Sequence, residues 1–301
     1  MPPRLSVIVP IHNEQDNVRY FYDRARPVLE KLPVDWEIVF INDASTDGSL
    51  ERILALRQEE PRVRVITLSR NFGYHAALTA GLRSRDSDLY AIVDVDCEDP
   101  PELLAQFHAA LEKGAYAAYG IRSQRDEPRH IVFFRYLFYW INQRIADGPV
   151  MLWMAEFSMF TRAMREAVLA HKTTFPFLRA EMGYVGLRME GVPYFRARRA
   201  HGASHYSFLR MAKFAVGGWL SSSTFPLRLG MYLAPLTLAG WLLLTLATGP
   251  TLARAAAWAA VLGFGYLLTT VPLLAIYLAR TYKDVSARPV YYLDPARSAL
   301  D

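Results

Sequence analysis

Cysteine is almost absent: Cys97 is the single one among 301 residues. One thiol excludes an intrachain disulfide framework and suits a reducing compartment. No charge sign dominates either, with 34 Lys and Arg against 29 Asp and Glu, a formal net charge of +5. That surplus is local. From Ser207 onward eight basic residues (Arg210, Lys213, Arg228, Arg254, Arg280, Lys283, Arg288, Arg297) face three acids (Asp284, Asp294, Asp301), so residues 1–206 balance to zero. The basic character therefore belongs to the tail and points to anionic lipid headgroups, not to nucleic acid. Residues 1–12 hold only a six-residue apolar run, too short for the core of a secretory signal. No Gly-x-Gly-x-x-Gly follows the first apolar run, which sets aside a dinucleotide oxidoreductase.

Apolar residues are abundant, at 52%, and the excess lies toward the C-terminus. Over the first 120 residues, strand-like and helix-like stretches alternate. Short apolar runs at 5–10, 36–41, 63–68, 89–93 and 115–121 read as strands. Residues 16–31 carry Val18, Phe21, Tyr22, Ala25, Val28 and Leu29 at helical spacing, and 49–60, 74–83 and 102–113 read as further helices. This alternation predicts an α/β fold, a mainly parallel sheet with helices on both faces. In such sheets ligands bind at the carboxyl ends of the strands.

Those ends are where the polar residues fall. The first run ends in Pro10-Ile11-His12-Asn13-Glu14, the second in Asn42-Asp43-Ala44-Ser45-Thr46-Asp47-Gly48, the third in Ser69-Arg70-Asn71-Phe72-Gly73. The fourth ends in Asp94-Val95-Asp96-Cys97-Glu98-Asp99, broken by Pro100-Pro101. Taken alone, Asn42–Gly48 also serves as a turn with a helix cap, and Asp94–Asp99 as a solvated helix start. Four polar ends on one sheet edge make a site. Asp94 and Asp96 are the hard oxygen ligands that Mg²⁺ or Mn²⁺ takes beside a diphosphate. The carboxylates around Cys97 disfavour a thiolate there.

Beyond Pro128 the pattern changes. Residues 130–147 mix Phe133, Phe134, Tyr136, Leu137, Phe138, Tyr139, Trp140 and Ile141 with Arg135 and Arg144. They read either as an amphipathic helix on a membrane surface or as an ordinary core helix. Residues 207–222 look similar. Residues 229–248 and 255–279, twenty and twenty-five long, carry no charge and reach bilayer-spanning length. Lys and Arg flank their outer ends, so the positive-inside tendency puts both termini and the α/β domain in the cytosol. The expected organisation is a cytosolic domain over 1–206, including the helix at about 130–147, then a membrane region over 207–301. That region would hold an interface helix at about 207–222, transmembrane helices at about 228–248 and 255–279, and a cytosolic tail over 280–301.

Several stretches resemble the family-2 glycosyltransferases of GT-A, Rossmann-like fold: Val7-Ile-Val-Pro-Ile-His-Asn-Glu14, Asn42-Asp-Ala-Ser-Thr-Asp-Gly48, Leu68-Ser-Arg-Asn-Phe-Gly-Tyr-His-Ala-Ala-Leu-Thr-Ala-Gly81, Asp94-Val-Asp-Cys-Glu-Asp-Pro-Pro-Glu-Leu103, Val192-Pro-Tyr194 and Arg199-Ala-His-Gly-Ala-Ser-His-Tyr206. The third and fourth resemble the polyprenyl-phosphate branch in particular, that of dolichyl-phosphate mannose synthases and bactoprenol glucosyltransferases. The resemblance implies that Pro10, Asn13, Glu14, Asp43, Asn71, Asp94 and Val95 hold a UDP- or GDP-linked sugar. Asp94, Asp96 and Glu98 would meet a Mg²⁺ or Mn²⁺ ion; Glu98 stands where the family usually has Gln. Arg122, Arg199, Ser204 and His205 would face phosphates and the acceptor, His205 replacing a family lysine and His12 a family tyrosine. Asp96, Glu156 and Arg199 would be catalytic, with Glu156 orienting the acceptor or acting as base.

The activity so implied is inverting transfer of a sugar to a polyprenyl phosphate such as undecaprenyl or dolichyl phosphate, at the cytosolic leaflet of the cell (inner) membrane. Homo-oligomerisation is left open, and no nucleic-acid partner is expected. Two alternatives stand beside this. A family-2 transferase or synthase acting on another lipid or on a polysaccharide would usually carry Gln-x-x-Arg-Trp, and Arg-Trp never occurs here. A catalytically inactive GT-A membrane adaptor would have no use for Asp94 and Asp96.

Overall fold

The computed structural model describes residues 2–124, 136, 137, 140, 144, 154–171, 173, 176–196 and 223–299. Seven strands form one sheet: β1 Arg4–Ile11, β2 Asp35–Asn42, β3 Val63–Thr67, β4 Leu89–Ile92, β5 Ala117–Gln124, β6 Met154–Thr161 and β7 Met189–Phe195. Their order is β3-β2-β1-β4-β6-β5-β7. Every pairing is parallel except those of β6, which runs antiparallel to both β4 and β5. The first nine elements follow the sequence reading to within a few residues. The helix expected over 102–113 divides into a 3₁₀ turn, Pro101–Leu103, and a helix, Leu104–Glu112. Pro101 brings no N–H to a helical ladder, which suits it to the first turn.

The strands other than the edge strand β7 are largely buried, and side-chain alternation divides them between two cores. Leu5, Val7, Val9, Trp36, Ile38, Phe40, Ala91, Val93, Phe157 and Met159 face one side. There they meet α1 (Asn17–Leu29), α2 (Ser49–Glu59) and α4 (Leu104–Glu112) through Phe21, Ala25, Leu29, Ile53, Leu56 and Phe107. Ile8, Val39, Ile41, Tyr90, Ile92 and Phe160 face the other. They pack on α3 (Tyr74–Ser84), α5 (Arg162–Ala170) and α6 (Leu178–Val185) through Leu78, Leu82, Met164, Leu178 and Met182. Gly81 sets how closely α3 lies on the sheet, since a Cβ there would sit 2.5 Å from Ile8 Cγ2 and 3.0 Å from Ile41 Cδ1.

β1 lies between β2 and β4, so the chain order reverses there. This is the switch point at which open α/β sheets bind ligands, outside the carboxyl ends of the strands. β5 and β7 run in the same sense as β4, so the end of β7 reaches that same edge.

Two long helices follow, α7 (Phe225–Ala247) and α8 (Leu252–Val285). Both are long and apolar enough to cross a membrane, and only 6% of each apolar window is buried by protein. The chain divides into two compact units: Met1–Tyr136, Pro149–Ser207 and Pro289–Asp301 form the first, Leu137–Gly148 and Phe208–Arg288 the second. The C-terminal tail, grouped with the membrane region in the sequence reading, thus packs with the α/β unit. The helix expected at 130–147 lies outside the described residues except for Tyr136, Leu137, Trp140 and Arg144, which are helical. The interface helix expected at 207–222 lies wholly outside them.

Candidate active site

The site grows from the loops after β1, β2, β3 and β4. Three non-glycine residues in these loops hold a left-handed backbone: Asn13 (φ 57°), Ala44 (φ 51°) and Cys97 (φ 53°). Such backbone is strained for residues with a Cβ and concentrates at functional sites. The first two loops lock together. Asn13 Oδ1 accepts from the Thr46 amide at 2.8 Å, and the Asn13 and Glu14 amides donate to the Ser45 and Ser49 hydroxyls, each at 3.0 Å. Glu14 Oε2 accepts from Asn17 Nδ2 at 2.6 Å. Pro10 is buried in β1 opposite Ile41.

Asp43 is only 3% exposed. Its two carboxylate oxygens accept the amides of Phe72 and Gly73 at 2.7 and 2.8 Å, so it shapes the loop after β3. The His12 ring bonds to the Asp43 carbonyl at 2.9 Å. Asn71 is exposed on that loop, and Val95 is buried beneath the acidic one.

Each acid of the loop after β4 has its own partner. Asp94 Oδ1 accepts from the Tyr74 hydroxyl at 2.8 Å, which ties α3 to the loop. Asp96 Oδ1 accepts from the Glu98 amide at 3.1 Å. Glu98, expected beside a metal, has its carboxylate ion-paired with Arg196. Asp99, 1% exposed, accepts from Arg122 Nη2 at 2.8 Å and from the Tyr194 hydroxyl, while Arg122 Nε donates to Tyr194 at 3.1 Å. Arg122, expected to face phosphates, is tied to Asp99 and Tyr194. Tyr194 in turn lies over Gly120, where a Cβ would come within 2.5 Å of its ring.

Burial pushes the Asp94 carboxyl up to about 7, helped by the charges of Asp99 and Asp96 and opposed by Tyr74 and Arg122. Negative charge crowded and buried in this way fits a cation. Among the described residues no three His, Cys, Asp or Glu converge as a complete protein cage. That suits an ion held by one or two carboxylates and completed by substrate phosphates, as Mg²⁺ commonly is. Burial also pushes the Cys97 thiol up to about 12, so it is an inert small residue in the loop.

Glu156 arrives from β6. Ile92 pairs with Ser158, so two residues further on, Glu156 stands level with Asp94. Its Oε1 is 2.7 Å from Arg179 Nε, and Arg179 Nη1 donates to the Met154 carbonyl at 3.0 Å. His75 stacks edge-on against Phe177 and Tyr74, with ring centroids 5.1 and 5.4 Å apart. Burial lowers the His75 pKa, so the ring is neutral at physiological pH. Burial and then Asp94 raise the Tyr74 phenol well above its usual range, so it remains a donor.

The geometry thus brings together Asp94, Asp96, Glu98, Asp99, Arg122 and Glu156, with the Asn13, Glu14 and Asp43 loops alongside. Arg199, Ser204 and His205 lie outside the described residues. Arg179 and Arg196 were not singled out by the sequence reading. Tyr74 stood inside a quoted motif with no role assigned.

The model of glycosyl transferase family 2 matches residues 6–171, more than half the chain, and the protein belongs to that family. It is 29% identical over 300 residues to the bactoprenol glucosyl transferase of Shigella phage SfII, covering 96% of this chain and 97% of the relative. It is 29% identical over 308 residues to the undecaprenyl-phosphate 4-deoxy-4-formamido-L-arabinose transferase of Salmonella choleraesuis (strain SC-B67), covering 96% and 92%. Among solved structures, it superposes on the mannosyltransferase PcManGT of Pyrobaculum calidifontis, in complex with GDP-Man and Mn²⁺. The TM-score is 0.50 at 18% identity, over 95% of this chain and 86% of the other. That likeness carries the GT-A fold alone.

Proposed function

We propose that this glycosyltransferase moves a sugar from a nucleotide-sugar donor to a polyprenyl phosphate at the cytosolic face of the cell membrane. The observation that carries the reading is the union, in one chain, of a family-2 acidic edge with two lipid-length apolar helices, α7 and α8. Near-complete coverage of relatives named for bactoprenol and undecaprenyl phosphate supports the acceptor class. A long polyprenyl tail stays in the bilayer, so the protein must work at the headgroup plane. The basic surplus after Ser207 suits an anionic, cytosolic surface.

The residues then have distinct tasks. Asp94 and Asp96 would hold a divalent cation, which when bound neutralises charge developing on the diphosphate leaving group. The loops fixed by Asn13, Glu14 and Asp43 would receive the nucleotide. A phosphate monoester has a second pKa of about 6, so the acceptor oxygen is already anionic near neutrality and needs little base help. Glu156, held by Arg179, is suited to orienting the acceptor. Direct attack on the anomeric carbon would invert it.

The test is to incubate the purified full-length protein with undecaprenyl phosphate, Mn²⁺ and a panel of UDP- and GDP-sugars, and to look for a glycolipid by mass spectrometry. One donor should yield undecaprenyl-phosphate sugar. Donor turnover that leaves the lipid unmodified while glycosylating another acceptor would overturn the acceptor assignment.

A further inference from the structure

Two arginines reach the acidic loop, and they differ in how firmly they are held. Arg122 is fixed to the buried Asp99 and to Tyr194, and pulling it away would strand a carboxylate with 1% exposure. Arg196 is held more loosely. It follows β7 at the ligand-binding edge, its side chain is 35% exposed, and its partner Glu98 is 20% exposed. Its Nε lies 3.9 Å from Asp99. The amide of Glu98 in turn donates to Asp96 at 3.1 Å. Arg196 therefore pairs with a residue two positions from Asp96, the carboxylate assigned to the cation, and its guanidinium partly faces solvent.

We propose that Arg196 is a diphosphate-binding residue and that Glu98 competes with the donor for it. This rests on the nucleotide-sugar reading of the site. A guanidinium fork matches phosphate oxygens in two parallel hydrogen bonds, and a diphosphate carries more charge than one carboxylate. A partly exposed ion pair is weak enough to exchange, being worth at most about fivefold in an equilibrium. Asp94, Asp96, Glu98 and Asp99 also repel any phosphate that comes without a cation. Glu98 thus makes donor binding depend on metal: without the cation the carboxylate keeps the arginine, and with it the diphosphate displaces the carboxylate. Glu98 acts here as a gate on Arg196, outside the ligand set of the ion.

The experiment measures binding of inorganic pyrophosphate, in EDTA, to the full-length protein by calorimetry. Glu98→Gln should bind it about three- to fivefold more tightly than the wild type. Arg196→Gln should bind it more weakly, and adding Glu98→Gln to that variant should give no gain. Binding of Mn²⁺ alone should be unchanged in Glu98→Gln. Glu98→Ala serves as a second variant, and melting curves establish that each protein is folded. Unchanged or weaker pyrophosphate binding in both Glu98 variants overturns the proposal, as does a gain that survives the loss of Arg196. So does weakened Mn²⁺ binding with pyrophosphate binding unmoved, which would make Glu98 a metal ligand. If the pyrophosphate gain appears but no donor yields glycolipid, the gate stands and the acceptor reading falls.

Discussion

At the scale of single residues, the acidic loop combines charges that serve different ends. Asp96 is partly exposed and accepts from the Glu98 amide, a bond that an Asn oxygen can also accept, so replacement by Asn removes the charge and keeps the shape. Asp96→Asn should therefore lower sugar transfer by at least about a hundredfold, because a metal-assisted step is worth several kcal/mol. The melting curve should barely move. Undiminished turnover in a glycolipid assay would remove the metal role. Tyr74→Phe is subtler. The hydroxyl holds Asp94 at 2.8 Å, so its loss should weaken Mn²⁺ binding by about three- to tenfold. It should also raise the donor KM more than it lowers kcat at saturating metal. A kcat loss that excess Mn²⁺ leaves unrescued would give Tyr74 some other task. Asp94 and Asp96 were legible because they stand in a recognisable run, and Glu156 only through the family resemblance. Arg179 and Arg196 were not, since an arginine outside a motif looks like any surface charge until the fold sets it against a carboxylate. Asp43 shows the converse. Its motif was visible, yet only the structure reveals both oxygens capping the amides of Phe72 and Gly73.

At the scale of elements, the early strands and helices were legible because burial on both faces leaves unbroken apolar runs and helices carry apolar spacing. β6 and β7 were not read as strands. β6 interleaves Glu156 and Ser158 with its core residues, and the exposed Pro193 interrupts β7 on the sheet's edge. β5 runs to Gln124, beyond the expected end at 121, because β7 pairs alongside it. The junction of α1, α2 and β3 carries a testable electrostatic dependence. Glu60 pairs with Arg62 at 2.8 Å and accepts from Tyr22, while Arg62 stacks on Trp36 at 3.6 Å. The hydrogen bond from Arg62 leads the effects that lower the Glu60 carboxyl from 4.5 to about 2. A depressed carboxylate stabilises the fold above its unfolded pKa, and that contribution fades as pH falls from about 4.5 toward 2. Glu60→Gln should then destabilise by about 2 kcal/mol at pH 7 and by much less near pH 3, as read by denaturant melts at both values. An equal deficit at both values would mean the loss is one of packing.

At the scale of the whole molecule, the chain returns to its first unit after α8. The sequence reading grouped residues 280–301, as a cytosolic tail, with the membrane region; a short stretch with Pro289 and Pro295 has no strand pattern of its own. What it does have is a partner far away in sequence. Ala299 exchanges two backbone hydrogen bonds with Val65 at 2.8 and 3.0 Å, Asp294 donates to the Thr67 carbonyl at 2.8 Å, and the Ser69 amide donates to Tyr292 at 2.9 Å. Ser298 and Arg297 take the amide and hydroxyl of Thr67 at 2.9 and 2.7 Å. The tail thereby covers the exposed edge of β3, an edge that would otherwise invite pairing with another chain. Tyr292 also packs beside Phe72, with ring centroids 6.3 Å apart, in the same loop that Asp43 caps. Deleting residues 289–301 should therefore do two things at once. Stability of the first unit should fall by roughly 2–4 kcal/mol, from hydrogen bonds worth about 1 kcal/mol each, partly regained from water. The loop from Ser69 to Gly73 should loosen, raising the donor KM severalfold while membrane extraction behaviour, a property of α7 and α8, stays the same. Thermal melts, donor titrations and detergent fractionation of the truncated protein separate these effects. A truncated protein that melts and binds donor like the full chain would mean that β3 needs no cover and that Asp43 alone holds the loop.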